Sequence, residues 1–233
     1  MADEVGRLLE RIGKLEQRER FGDALALARR AAEVEPDEPA VWEARGEMAL
    51  RCGDAEEAVA ALRRLTRLEP ESGEGWFRLG EALQWRGAAD EAEGCFGRAA
   101  ELEPAQHTRP FRISTEEFEA VAGEVLRSLP AQFVDFLEET GTGIAVRPLP
   151  ALEMVVEDGL DPHALGYWLG NVFGAAGAWG EANPAAIEIY QLNIENWSAD
   201  RDGLFEEIRR TVLHEVGHAL GMDHAALDQD GYA

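Results

Sequence analysis

Apolar residues recur at helical spacing in two stretches of the second half of the chain. The first stretch opens at Ser114, whose spacing to Glu117 is that of a capping box, and continues to Pro130. The second runs from about Asp202 to Leu220. The apolar faces of these two predicted helices are Phe118, Val121, Val125, Leu126 and Leu129, and Leu204, Phe205, Ile208, Val212 and Leu213.

Short apolar runs bounded by glycine and proline lie between these helices. They predict four strands, at residues 143–146, 152–156, 165–169 and 186–192. A helix, a small set of strands and a closing helix indicate a compact α+β domain, which we place at residues 112–233. The break before it, at residues 103–110, carries two prolines that interrupt helical periodicity.

The first hundred residues repeat with a fixed period. A shift of 34 residues pairs Trp42 with Trp76, Gly46 with Gly80, Ala58 with Ala92, and Pro36 with Pro70 and Pro104. This pattern resembles tetratricopeptide repeats, with an aromatic residue near the start, small residues where two helices cross and a closing proline. The resemblance implies an all-α array over residues 1–106, with repeats at 5–38, 39–72 and 73–106.

In that family the first helix of each repeat lines a concave groove that binds a peptide or a partner protein. The corresponding positions here are mostly acidic: Glu10, Glu16, Glu43, Glu47, Arg51, Phe77, Arg78, Glu81 and Trp85. A basic or amphipathic helical segment suits such a lining. The alternative is that the array packs on its own C-terminal domain or on a second copy of the chain.

The overall charge limits the classes of partner. A formal net charge of −24 disfavours nucleic acid and anionic membrane surfaces. No apolar run approaches the length of a membrane span, and the N-terminus lacks the features of a signal peptide. We therefore expect a cytoplasmic protein that binds neither nucleic acid nor membrane.

Residues 214–224 carry the pattern H-E-x-x-H-x-x-G-x-x-H. On a helix, His214 and His218 lie on one face one turn apart, so both imidazoles can bind one Zn²⁺ ion. Glu215 is placed to accept a proton from a water molecule at that ion. Gly221 can end the helix and turn the chain back, which brings His224 to the zinc as a third ligand.

Two parts of this predicted site stay open. Asp223 is the alternative to His224 as the third ligand, although imidazole is favoured at this spacing. Among the polar aromatic residues, Tyr190 and Tyr232 are the candidates for contacting substrate or the transition state, and Tyr167 and His163 are further candidates.

The order of several segments resembles the small bacterial zincin-like metallopeptidase family. These segments are residues 116–130, 154–158, 165–170, 187–190, 211–218 and 231–232. The resemblance implies a minimal zincin, a zinc-dependent peptidase with Glu215 as the general base. It also implies that an edge strand beside the metal helix pairs with an extended peptide, and residues 187–192 are the candidate.

Two functions of different class follow. The first is a zinc peptidase whose repeats recruit a protein partner or substrate. The second is a repeat-based adaptor whose zincin-like domain binds metal without cleaving peptides. The intact Glu215 favours the enzyme, because a domain that only binds metal does not need a base.

Overall fold

The computed structural model describes residues 2–169, 186–220 and 222. Its contacts divide the chain into two compact units. One unit contains the residues up to Arg109 together with Pro150–Pro162, and the other contains Pro110–Leu149 and the residues from His163 onwards. Within the described part of the chain, every helix is too short or too polar to cross a bilayer.

The first unit is an array of helices that pack in sequence order. Its six repeat helices are α1 (Ala2–Glu16), α2 (Phe21–Val34), α3 (Pro39–Arg51), α4 (Ala55–Leu68), α5 (Gly73–Trp85) and α6 (Ala89–Leu102). One core runs through them, from Ile12 on α1 to Ala99 on α6. The predicted helical repeat array is therefore confirmed.

The repeat in sequence is also a repeat in contacts. The Trp42 indole donates to the Pro36 carbonyl at 2.9 Å, and the Trp76 indole donates to the Pro70 carbonyl at 3.0 Å. Arg29 pairs with Glu57, and one repeat later Arg63 pairs with Glu91. Equivalent residues thus make equivalent contacts in successive repeats.

The remaining elements are α7 (Thr115–Ser128), α8 (Ala131–Thr140), β1 (Gly143–Arg147), α9 (Leu152–Val156), β2 (Gly166–Leu169), β3 (Ala186–Tyr190), α10 (Gln191–Asn196) and α11 (Arg201–Ala219). The strands form one sheet in the order β1-β3-β2, in which β1 is parallel and β2 antiparallel to β3. Helices α7, α8 and α11 share a core with Ile187 and Ile189 of β3. This arrangement confirms the predicted α+β domain.

Several predicted elements are confirmed. The helix after Ser114 begins with a complete capping box, in which the Ser114 hydroxyl accepts from the Glu117 amide and Glu117 accepts from the Ser114 amide. The helix predicted at 202–220 is α11, and the strands predicted at 143–146 and 165–169 are β1 and β2. The helix α8 was not predicted from the sequence.

Two strand predictions were wrong in whole or in part. Residues 152–156 form the helix α9, because Leu152, Val155 and Val156 have the i, i+3, i+4 spacing of a helix and Val155 is buried. The strand predicted at 186–192 ends at Tyr190, where α10 begins. There the Gln191 side chain donates to Glu195 within α10 and to the carbonyl of Ile113, a residue distant in sequence.

We predict opposite effects for alanine at two glycines of the array. A Cβ at Gly80 would lie 2.7 Å from the buried Phe96 ring, so Gly80→Ala should destabilise the array by about 1–3 kcal/mol. Gly94, on exposed α6 surface, has no neighbour within 4 Å, and Gly94→Ala should stabilise it by about 0.5–1 kcal/mol. Urea unfolding of both variants tests this, and equal effects would contradict the packing argument.

Candidate metal centre

Two histidines of α11 converge on one point. The Nε2 atoms of His214 and His218 are 3.0 Å apart, and the rings meet edge to face with centroids 4.6 Å apart. Two nitrogens bound to a tetrahedral zinc ion at about 2.0–2.1 Å are about 3.3 Å apart. The pair therefore needs only a small opening to bind one ion.

The backbone beyond α11 orients one of these imidazoles. His218 Nδ1 lies 3.2 Å from the Met222 carbonyl oxygen. A carbonyl can only accept, so Nδ1 carries the proton, and in the neutral ring the lone pair is on Nε2. This hydrogen bond is the kind that fixes the tautomer of a metal-binding histidine.

The described residues supply two of the three predicted ligands. Within residues 2–169, 186–220 and 222, no group of three His, Cys, Asp or Glu side chains is placed to bind a metal ion. The predicted third ligand His224, the alternative Asp223 and the predicted contact Tyr232 lie outside the described residues. The donors that are present, two converging imidazoles, fit zinc.

Glu215 is buried beside this pair, with 8 % of its surface exposed. Burial raises the pKa of its carboxyl to about 7, although a hydrogen bond from the Trp168 backbone amide lowers it in part. A carboxyl with a pKa near neutrality can both accept and return a proton at physiological pH. Near neutral pH the Glu215 carboxyl is therefore present in both protonation states.

Strand β2 supplies the surface against which Glu215 packs. A Cβ added at Gly166 would lie 2.7 Å from Thr211 Cγ2 and 3.2 Å from Glu215 Cγ, so α11 approaches the strand closely at this glycine. The Tyr190 backbone amide donates to the Leu165 carbonyl, and hydrogen-bonded positions alternate along an antiparallel pair. The Trp168 amide therefore faces away from β3, towards Glu215.

The strand order corrects one expectation. The substrate-pairing edge was expected at residues 187–192, but β3 lies between β1 and β2 and is the central strand. Among the described strands, β2 is the edge beside α11. The position of β3 shortly before α11 in the sequence did not indicate the edge, because β3 pairs with β1 on one side and with β2 on the other.

Tyr190 lies inside the unit. Its side chain is fully buried, and its hydroxyl donates to Glu188 at 3.3 Å. Burial and the Glu188 carboxylate raise the pKa of Tyr190, so the phenol stays protonated. Tyr167 is partly exposed on β2 and His163 is half-buried before it. A contact between any of them and a transition state stays a prediction.

Comparisons with known proteins agree with the two-part organisation. Residues 140–232 match the zincin-like metallopeptidase family, and residues 39–82 match the tetratricopeptide repeat family. The chain joins tetratricopeptide repeats to a zincin-like metallopeptidase domain. No curated protein matches it.

Similar solved structures are distant. The first tetratricopeptide domain of Spaghetti bound to an HSP90 peptide has 19 % identity and a TM-score of 0.43, covering 45 % of this chain and 82 % of that one. The chaperone SycD from Yersinia enterocolitica has 16 % identity and a TM-score of 0.42, covering 53 % and 87 %. MamA has 12 % identity and a TM-score of 0.45, covering 100 % and 85 %.

Sequence reasoning missed two backbone contributions to the site, the Trp168 amide on Glu215 and the Met222 carbonyl on His218. A signal existed for the first, because a glycine inside a strand often marks a close approach of another backbone or side chain. Gly166 is such a glycine. The Met222 contact has no equivalent signal, since every residue has a carbonyl.

We predict that Gly166→Ala disrupts the zincin-like metallopeptidase domain. The added methyl group would meet Thr211, the Glu188 carbonyl oxygen at 3.0 Å and Glu215. The cost should be about 1–3 kcal/mol, with weaker zinc binding because α11 must shift. Gly143→Ala is the control, since Gly143 lies on β1 with nothing within 4 Å. Urea unfolding and zinc titration of both variants test this, and unchanged behaviour of Gly166→Ala would contradict it.

We also predict that Glu215 makes the metal-free protein less stable as pH rises. Its pKa is about 7 in the folded protein against a reference value of 4.5, so the folded state holds the proton more tightly. The stability from this group is complete below pH 4.5 and is lost as pH rises through about 7, up to about 3 kcal/mol.

Glu215→Gln, which carries no titrating proton, should show a smaller decline over the same interval. Urea unfolding of the metal-free wild type and variant from pH 4.5 to 8 measures the difference. Parallel curves would mean that Glu215 is not desolvated.

Proposed function

We propose that this protein is a zinc-dependent peptidase with Glu215 as the general base. The observation that carries the proposal is the convergence of the His214 and His218 Nε2 atoms next to a buried carboxyl whose pKa is raised to about 7. Residues 112–233 would form the catalytic domain. His224 would complete the ligand set, with Asp223 as the alternative.

The residues of the chain would divide the chemistry as follows. Zinc, when bound, supplies Lewis acidity that activates water near neutral pH and polarises the scissile carbonyl. Glu215 takes the proton from the attacking water and passes it to the leaving amine. The Trp168 amide would orient the carboxylate, and the Met222 carbonyl would hold the proton of His218 on Nδ1, so that Nε2 could bind zinc.

Strand β2 is the proposed site of substrate pairing. An extended peptide can add to a sheet edge through main-chain hydrogen bonds, and β2 is the edge next to Glu215 among the described strands. Tyr167 and Leu169 on this strand are exposed and would contact the substrate side chains. Their apolar surface favours apolar residues beside the cleaved bond.

The repeats, residues 1–106, would recruit a protein partner or a protein substrate. On α3 and α5, Arg78 is shared by three carboxylates: Glu74 at 2.7 Å, and Glu43 and Glu47 at 3.4 Å. Carboxylates outnumber guanidinium groups there, which favours a basic partner. Phe77, predicted to line the groove, is instead buried against Phe96 and His107.

Metal analysis combined with peptide cleavage tests the enzyme proposal. Wild type and Glu215→Gln should each bind one zinc per chain, because Glu215 is not a ligand. On a mixed peptide library read by mass spectrometry, wild type should cleave, and the variant should be about 10²- to 10⁴-fold slower because it lacks the base.

Three other outcomes are informative. Equal cleavage by both proteins would exclude Glu215 as the base. Zinc in both without cleavage by either would favour the adaptor, in which the domain binds metal and the repeats bind a partner. No zinc in either protein would contradict the site itself.

A further inference from the structure

The segment Pro150–Pro162, which we name the strap, belongs to the helical unit although it lies between β1 and β2 in sequence. Its helix α9 covers the turn at Gly53, between α3 and α4. A Cβ at Gly53 would be 2.8 Å from Leu152 Cδ1 and 2.9 Å from Val156 Cγ2. Val155, between them, is 1 % exposed.

One arginine of the array links this strap to the predicted acidic groove. Arg51 pairs with Asp161 of the strap at 2.7 Å and with Glu47 of the groove at 3.3 Å. The guanidinium also lies over the Phe21 ring, 5.2 Å from its centroid. Arg51 and Glu47 are both mostly buried, so their pairing is less screened than an ion pair on the surface.

Glu47 also belongs to the ion-pair network around Arg78. Its other carboxylate oxygen lies 3.4 Å from Arg78, which in turn pairs with Glu43 and Glu74. A cation that enters the groove and pairs with Glu47 would therefore compete with Arg51. Arg51 would then direct its donors to Asp161, which is the other carboxylate paired with it.

In the sequence, the strap is followed directly by the segment that leads into β2, the strand against which Glu215 packs. After Pro162, the Ala164 carbonyl accepts from the Asn193 side-chain amide at 2.7 Å, and the Leu165 carbonyl accepts from the Tyr190 backbone amide at 2.9 Å. Strand β2 begins at Gly166, and its Trp168 amide donates to Glu215. Only a short segment of chain therefore separates Asp161 from β2, the strand that orients Glu215.

We propose that binding of a basic segment in the groove is transmitted to β2 through Arg51 and Asp161. In one arrangement Arg51 is shared between Glu47 and Asp161; in the other the ligand occupies Glu47, and Arg51 holds the strap more firmly. Groove occupancy then restrains the strand beside Glu215. This inference rests on the proposed function of the groove, and it requires no turnover by the metal centre.

Hydrogen exchange on the full chain, with an octa-arginine peptide as the probe, tests the inference. In wild type the peptide should slow exchange in α3 and α5, in the strap and in β2. In Asp161→Asn, α3 and α5 should still be protected, but the strap and β2 should not respond. Because coupling is reciprocal, Asp161→Asn should also weaken peptide binding, by about 2- to 5-fold.

Asp158→Asn is the matched control, because it removes the same charge from an exposed position of the same strap. It should behave as wild type. Protection of the groove helices in wild type without any change in the strap would overturn the inference and leave the proposed function intact.

Absence of octa-arginine binding would overturn both the inference and the basic-partner proposal. Loss of strap protection in Asp158→Asn as well would also overturn the inference, because the effect would then follow total charge and not the Arg51–Asp161 pair. Peptide cleavage is measured separately, so an inactive metal centre does not affect these outcomes.

Discussion

The site depends on the burial of one carboxyl between a helix and a strand edge. Glu215 could not approach β2 if Gly166 carried a side chain, and its charge would lack a donor if the Trp168 amide pointed towards β3. An ionised carboxylate in such a place is costly, and a single backbone amide compensates only in part. The result is a carboxyl whose pKa is raised to about 7, poised between its two protonation states.

Buried polar groups with hydrogen-bond partners surround α10 and the end of β3, the central strand of the same sheet. Glu195 is 1 % exposed, yet it accepts from the Ile113 amide, from Gln191 and from Arg112. Its desolvation still raises its pKa, so the network does not fully replace water. Such groups fix the geometry of α10 and the end of β3, because any other arrangement would leave a buried polar group without its partner.

The features of the structure that depend on the spacing of residues along one element were predicted from the sequence. The pairing of His214 with His218 follows from the helical period alone, and α7 and α11 follow from their apolar faces and the Ser114 capping box. The strand order does not follow from any local pattern: residues 187–192 adjoin α11 in sequence, but the edge beside Glu215 is β2. In the same way, Val155 and Val156 have a high intrinsic preference for strands, and packing on the Gly53 turn outweighs it.

The repeat period indicates specific side-chain contacts as well as the fold of the array. Arg29 and Arg63 are 34 residues apart, as are Glu57 and Glu91, and each arginine pairs with the glutamate of the next repeat. These pairs could have been predicted from the self-alignment. The ion-pair network around Arg78 has a different balance of charges: Arg78 pairs with Glu43, Glu47 and Glu74, and Glu47 is also paired with Arg51. Carboxylates are in excess in this network, whereas the bridging glutamates Glu57 and Glu91 are each shared by two arginines.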